Sequence, residues 1–528
     1  MDSFKQRGIS MWGGPVVMAI ASVVMSSAAV GQPLSPAETA GVPIPEGRVE
    51  MAVAALDDVI GDVMAATGVP GLAVAVVHEG RVVLAEGYGL RRIGEDAPVT
   101  PETVFQIASL SKSLAASVVA GQVGEGVIAW DTPVAEHLPW FELADPWVTG
   151  AVTIGDLFAH RTGLPGHAGD DLEDLGFDRR TTLERLRHLP LAAFRDDYAY
   201  TNFGLMAAAE AVAAASGTQW EALSETVLYE PAGMTRTSSR HDDFLARSNR
   251  AAGHVLVDGS YEARFERRPD AQTAAGGVNS TAIDMARWMI MVLDDGSIDG
   301  TPIIDAEALL AATSPQAISS PPRTVDARAG FYGFGFGVGY QPSGRVVLSH
   351  SGAFALGWAT HYSIIPSADT GIVVLSNAAP VGAVETIGAA FADLVQFGEV
   401  TRDWLAGYQP MMASISEPIG SLVGTEPPVD PEPARTADAY AGTYDNAYFG
   451  PVEIGVEGDR LHLSIGPEPQ VYPLRHWSGD RFVFDIQNEN APIGTISAVD
   501  FSLDETEAMG SLRVEFFDRA GMGTFRRP

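Results

Sequence analysis

The chain contains no cysteine, which excludes disulfides, thiolate catalysis and zinc–sulfur sites. Lysine is almost as scarce: of 33 basic residues only Lys5 and Lys112 are lysine, and the remainder are arginine. Positive charge is short overall, with 33 basic against 67 acidic residues and a net charge of −34. A surface of that sign repels nucleic acid and anionic lipid, so neither is expected as a partner. Beyond the N-terminal segment no apolar run is long enough to span a bilayer. There is no H-E-x-x-H, no EF-hand loop, no phosphate-cradling glycine loop after a strand and no internal repeat. Neither a metal nor a cofactor is therefore expected.

What is present is a chain that can bury large cores. Its 528 residues are 46% hydrophobic and 19% charged, which predicts a folded protein of two or three units. Residues 1–31 read as an export signal: Lys5 and Arg7 come first, an apolar stretch follows from Val16 to Met25, and small residues close it at Ala29 to Gly31. An uncleaved anchor is the alternative, because apolar character begins at Ile9. The expected location is periplasmic or extracellular. After cleavage at such a site Lys112 is the only lysine left.

Two β-rich runs around His78-Glu79-Gly80 predict a hairpin. Alanine-rich apolar stretches predict helices from Leu110 to about Val123 and from about Gly204 to Gly217, and "STAIDMARWMIMVLDDG" predicts a third that opens on a Ser/Thr cap. "FYGFGFGVGY", "GRVVLSHSG", "ATHYSIIP" and "TGIVVLSN" read as successive strands of one sheet. Strands at both ends with helices between them make an α/β unit. "GTEPPVDPEPART", Gly424 to Thr436, has the proline-rich acidic composition of a linker. Beyond it, short alternating strands such as "RFVFDIQ" and "SLRVEFFD" predict an all-β barrel or sandwich. The expected division is 32–400 for the α/β domain, 401–436 for a connecting segment and linker, and 437–528 for the β-domain.

The lone internal lysine stands in "IASLSKSLAAS", three residues after Ser109 and at the front of a predicted helix. That spacing stacks the two side chains on one face, one turn apart. A guanidinium does not lose its proton in a protein, whereas a desolvated ammonium can become a free amine and act as a base. Ser109 and Lys112 thus form a candidate nucleophile and base of the Ser-Lys kind.

Two further motifs follow in order: "YAYTNFG", with Tyr200 and Asn202, and "LSHSGAFALGW", with His350, Ser351 and Gly352. With "FQIASLSKS" they make the chain resemble the penicillin-recognising serine hydrolases, comprising class C β-lactamases, DD-carboxypeptidases, D-aminopeptidases and related esterases. The resemblance runs from about Leu56 to Leu394. It implies an antiparallel sheet flanked by helices with a helical subdomain, and Ser109 as the acylated nucleophile. It makes Lys112, Tyr200 and His350 further catalytic residues, and Asn202, Ser351 and Gly352 substrate-binding ones. The implied oxyanion hole is the backbone N–H pair of Ser109 and Ala353.

In this scheme nearby cations lower the pKa of Tyr200, and Gly352 lets a substrate backbone approach the strand. Histidine at 350 replaces the lysine usual in β-lactamases and DD-peptidases, which points to the aminopeptidase and esterase branches. "HAGDDLEDLGFD" reads as a solvated acidic loop, and His160 as a structural residue. The C-terminal module resembles a lipocalin-like β-domain found on some relatives. The expected substrate is a small peptide, amide or ester; homo-oligomerisation stays open.

Overall fold

The computed structural model describes residues 42–528, so the export signal expected over residues 1–31 lies outside the described residues. The hairpin forms as its sequence predicts: strands Gly71–His78 and Arg81–Gly89 are joined through Glu79 and Gly80, which both take positive φ. These strands open an eight-stranded antiparallel sheet. It continues through Thr370–Ser376, Trp358–Ile365, Val346–Phe354, Gly337–Tyr340 and Gly330–Tyr332 to Ala317–Ser320.

The run "GLAVAVV" is apolar at every position because both faces of this sheet are covered. Ala73, Ala75 and Val77 face one core, shared with the helices Ser111–Gly124, Asn202–Ser216 and Ala282–Leu293. Leu72, Val74 and Val76 face a second core under Arg48–Ala54, Leu56–Thr67 and Ala383–Phe397. The three helices predicted from sequence are all present. Gly217, at φ 68, ends the second of them, and the Thr281 side chain caps the third by accepting the Asp284 N–H.

The C-terminal domain is an eight-stranded antiparallel sheet whose strands follow one another in chain order from Gly442–Tyr444 to Thr524–Arg526. Its edges meet: Asp445 and Arg526 exchange backbone hydrogen bonds of 2.7 and 3.0 Å, making a near-closed barrel. Closure of this kind removes the exposed strand edges that would otherwise invite aggregation. Before the barrel, the connecting segment carries a helix, Trp404–Ala413, followed by the exposed proline-rich stretch.

Candidate active site

Ser109 lies in a tight turn, Ala108–Leu110, that feeds directly into the helix carrying Lys112. Ala108 takes φ 46, a left-handed conformation uncommon for alanine and characteristic of functional turns. The turn is braced from both sides. The Ser111 hydroxyl donates to Ala108 O at 2.6 Å and accepts the Val278 N–H at 3.1 Å, while Ile107 N–H donates to Val278 O at 3.0 Å.

Lys112 is fully buried. Its Nζ lies 3.2 Å from Ser109 Oγ, 2.7 Å from Asn202 Oδ1 and 2.8 Å from the carbonyl of Ala275. Burial lowers its pKa to about 7, against a smaller opposing pull from Asp170. Tyr200 O–H donates to Ser109 Oγ at 2.8 Å, and the Lys112 amine sits 4.4 Å from the centre of the Tyr200 ring. Ser109, Lys112, Tyr200 and Asn202, separated by up to 93 positions in the numbering, thus form one hydrogen-bonded group.

The expectation that cations lower the Tyr200 pKa is not met. Burial raises it well above the ordinary tyrosine value, so the phenol keeps its proton at rest. His160, expected to be structural, holds this residue in place. Its Nδ1 accepts the Thr201 N–H at 3.2 Å, and its ring packs 4.6 Å from that of Tyr200.

Around these residues is a cavity of about 490 Å³. One wall is the strand Val346–Phe354, which pairs with Gly337–Tyr340 only as far as Ser349. His350, Ser351, Gly352 and Ala353 therefore present a free strand edge to the cavity. A Cβ at Gly352 would stand 2.5 Å from Thr360 Oγ1, 2.7 Å from Ile107 O and 2.8 Å from Ser109 N. Glycine is required there by the turn that carries Ser109. The same contact sets the Ser109 backbone N–H against the strand that carries Ala353.

His350 makes no hydrogen bond to the Ser109 group among the described contacts. Its Nδ1 faces the Ser351 carbonyl and its Nε2 the Tyr332 hydroxyl, both at 2.8 Å. The carbonyl can only accept, so Nδ1 carries the proton and Nε2 accepts from the phenol. Desolvation and the nearby Lys112 push its pKa down to about 3, which keeps the ring neutral.

The acidic stretch at 167–178 is not a solvated loop. Asp170 and Glu173 are buried because each has found a partner. Asp170 Oδ2 accepts from Asn202 Nδ2 at 2.9 Å and faces His167 Nδ1 at 3.0 Å. Glu173 Oε2 accepts from Arg267 Nη2 at 2.5 Å. Asp170 thereby fixes the Asn202 amide with its oxygen toward Lys112, a link that one-dimensional spacing does not reveal. Sequence reasoning also missed the cavity roof. The barrel loop places Glu489 and Asn490 on the wall, and the connecting segment adds Met412 and Ile415. Glu489 Oε1 and Oε2 accept the Ala355 and Leu356 N–H groups at 2.7 and 3.3 Å.

The Beta-lactamase family profile matches residues 56–396, most of the described chain. The chain belongs to the beta-lactamase family. A second profile, described as a domain of unknown function (DUF3471), matches residues 426–523, the barrel and part of its linker. An unguisins hydrolase of Aspergillus violaceofuscus is 26% identical over 476 residues, covering 82% of this chain and 83% of the relative. Penicillin-binding protein 4 of Amycolatopsis lactamdurans is 29% identical and covers 71% of this chain and 93% of the relative. A D-aminopeptidase of Gluconobacter oxydans is 26% identical, covering 61% of this chain and 59% of the relative.

Among solved structures, the octameric penicillin-binding protein homologue from Pyrococcus abyssi superposes with a TM-score of 0.57 at 20% identity, covering 90% of this chain and 100% of that one. A class C beta-lactamase from Rhodobacter sphaeroides does so with a TM-score of 0.54 at 23% identity, covering 65% and 98%. This beta-lactamase-family chain is a serine hydrolase with the fold of those proteins.

Proposed function

We propose that the protein is an exported hydrolase that acylates Ser109 and cleaves amide bonds of short peptides, including D-residue-containing or non-ribosomal ones. The observation that carries this reading is the placement of Ser109 Oγ between a buried amine and a half-buried phenol. Ser109 Oγ attacks the substrate carbonyl carbon and its proton passes to Lys112 Nζ. The N–H groups of Ser109 and Ala353 receive the oxyanion. As the C–N bond breaks, Tyr200 gives its proton to the leaving nitrogen and is reprotonated from Lys112. Water then attacks the acyl carbonyl, the ester bond to Ser109 breaks, and the serine oxygen recovers its proton.

Amide substrates are favoured over β-lactams and D-alanyl-D-alanine ends because neutral His350 offers no cation to a substrate carboxylate. Relatives named as an unguisins hydrolase and a D-aminopeptidase support the same preference. The barrel loop, through Glu489 and Asn490, limits substrate size by roofing the cavity.

Mass spectrometry after fluorophosphonate treatment is expected to find the adduct on Ser109. Turnover of L- and D-aminoacyl amides and dipeptides is expected to exceed that of p-nitrophenyl esters and a chromogenic cephalosporin. Ester turnover alone would make the protein an esterase, and a stable penicillin adduct without product release would make it a sensor. No adduct at Ser109 would remove the enzymatic reading.

A further inference from the structure

The cavity reaches past the free strand edge to the opposite face of the sheet, where Glu385 forms part of its wall. Glu385 stands in the first turn of the helix Ala383–Phe397 and is 5% exposed. Its Oε2 has no hydrogen-bond partner among the described residues. A buried carboxyl oxygen left unpaired in a native fold calls for a physical explanation. The Ser351 hydroxyl, on the strand that flanks Ser109, faces this carboxyl. That hydroxyl is in turn hydrogen-bonded to Nδ1 of His361 at 3.0 Å. Burial lowers the His361 pKa to about 4, so the imidazole supplies no countercharge.

The other charges around the cavity do not supply one either. Arg267 is held by Glu173 at 2.5 Å and approached by Glu489 at 3.9 Å. Lys112 is enclosed by Ser109, Asn202 and Ala275. Asp170 and Glu489 are themselves carboxylic acids on the cavity wall; Asp170 Oδ1 also has no hydrogen-bond partner among the described residues, but Asp170 stands against His167 and Glu489 near Arg267. The electrostatic vacancy in this space is therefore for a cation, and among the described residues Glu385 is the wall carboxyl with no basic side chain beside it.

We propose that Glu385 is a specificity-determining residue that receives a primary ammonium group of the substrate, so that the cavity selects amine-bearing over carboxylate-bearing substrates. The inference rests on Ser109 being the nucleophile of this same cavity. The ammonium comes from a peptide N-terminus or from a basic side chain; both present the same N–H donors and charge. Burial holds the Glu385 carboxyl above the ordinary glutamate range, and a docked ammonium reverses that shift by offsetting the desolvation.

The test reads binding separately from turnover, as protection of Ser109 in the full chain against fluorophosphonate labelling. The probes are alaninamide, with a free α-amine; N-acetyl-lysinamide, with a side-chain amine; N-acetylalaninamide, which is neutral; and N-acetylalanine, an anion. At least one amine is expected to protect about tenfold more effectively than the neutral and anionic probes, and Glu385→Gln is expected to lower that ratio to near one. Which amine protects identifies the source of the ammonium. Glu385→Asp, which keeps the charge, is expected to restore part of the preference, and thermal unfolding of each variant checks that it is folded. Equal protection by all four probes, or an amine preference that survives in Glu385→Gln, would overturn the inference. Protection by amines without amide turnover would instead sink the peptidase reading and leave the role of Glu385 standing.

Discussion

Lys112 has three polar neighbours but, as a free amine, only two N–H bonds to give. The carbonyl oxygens of Asn202 and Ala275 can only accept, so they take both. The nitrogen lone pair is then left for the Ser109 hydroxyl, while Tyr200 donates to the same serine oxygen from the other side. Each atom has its partner when the lysine is neutral, which is the form a base requires. With the Lys112 pKa near 7, kcat/KM is expected to rise with pH through about 7, because the protonated amine predominant below that cannot take the serine proton. His160 and His350 stay neutral throughout this range and do not produce the limb. Lys112→Arg keeps the charge but not the titration, and is expected to slow fluorophosphonate labelling about a thousandfold. Asp170→Asn removes a negative charge that favours the ammonium. Its acid limb is therefore expected at lower pH than in the unaltered protein, with the rate reduced about tenfold because Asn202 loses its anchor. The lysine was legible in the sequence because it is rare. Asp170 was not, because an acidic run looks the same whether water or an amide group satisfies it.

At the scale of elements, the nucleophile turn and the strand Val346–Phe354 have to touch. Gly352 is where they do so, with Thr360, Ile107 and Ser109 crowding the space a side chain would need. Gly352→Ala is expected to push the strand from the turn and lower the labelling rate of Ser109 about a hundredfold. The accompanying stability loss is expected to be about 1–3 kcal/mol, measured by denaturant unfolding. The strands and helices that make this contact were legible as elements, since alternating or alanine-rich apolar patterns name them. Their meeting point was not. Glycine in a strand pattern announces a close approach without saying what approaches, and here the partner is the protein's own backbone.

The two domains of the molecule meet over the cavity beside Ser109 through partly buried acids. Asn490 donates to Asp174 through its backbone N–H at 3.0 Å and its side-chain amide at 2.8 Å, while Glu489 caps Ala355 and Leu356. Burial raises Asp174 to about 7 and Glu489 to about 8. A carboxyl whose pKa is raised on folding stabilises the folded state below its unfolded pKa and loses that contribution as pH climbs through the folded value. Thermal unfolding is thus expected to fall by a few degrees between pH 5 and pH 8.5. The general repulsion of a chain carrying −34 acts in the same direction. The Asp174→Asn, Glu489→Gln double variant separates the two effects, since it is expected to flatten only the part that belongs to the interface. By itself the sequence determined the element types, the Ser109–Lys112 pair proposed as nucleophile and base, and the presence of a C-terminal β-domain, because periodicity, composition and local spacing are properties of the chain. Only the tertiary structure decided that the barrel roofs the cavity, that Asp170 orients Asn202, that Tyr200 rests protonated and that Glu385 is buried with no basic side chain beside it among the described residues. Burial and pairing are set by residues far apart in the chain, and both change what a charged group does without changing its letter.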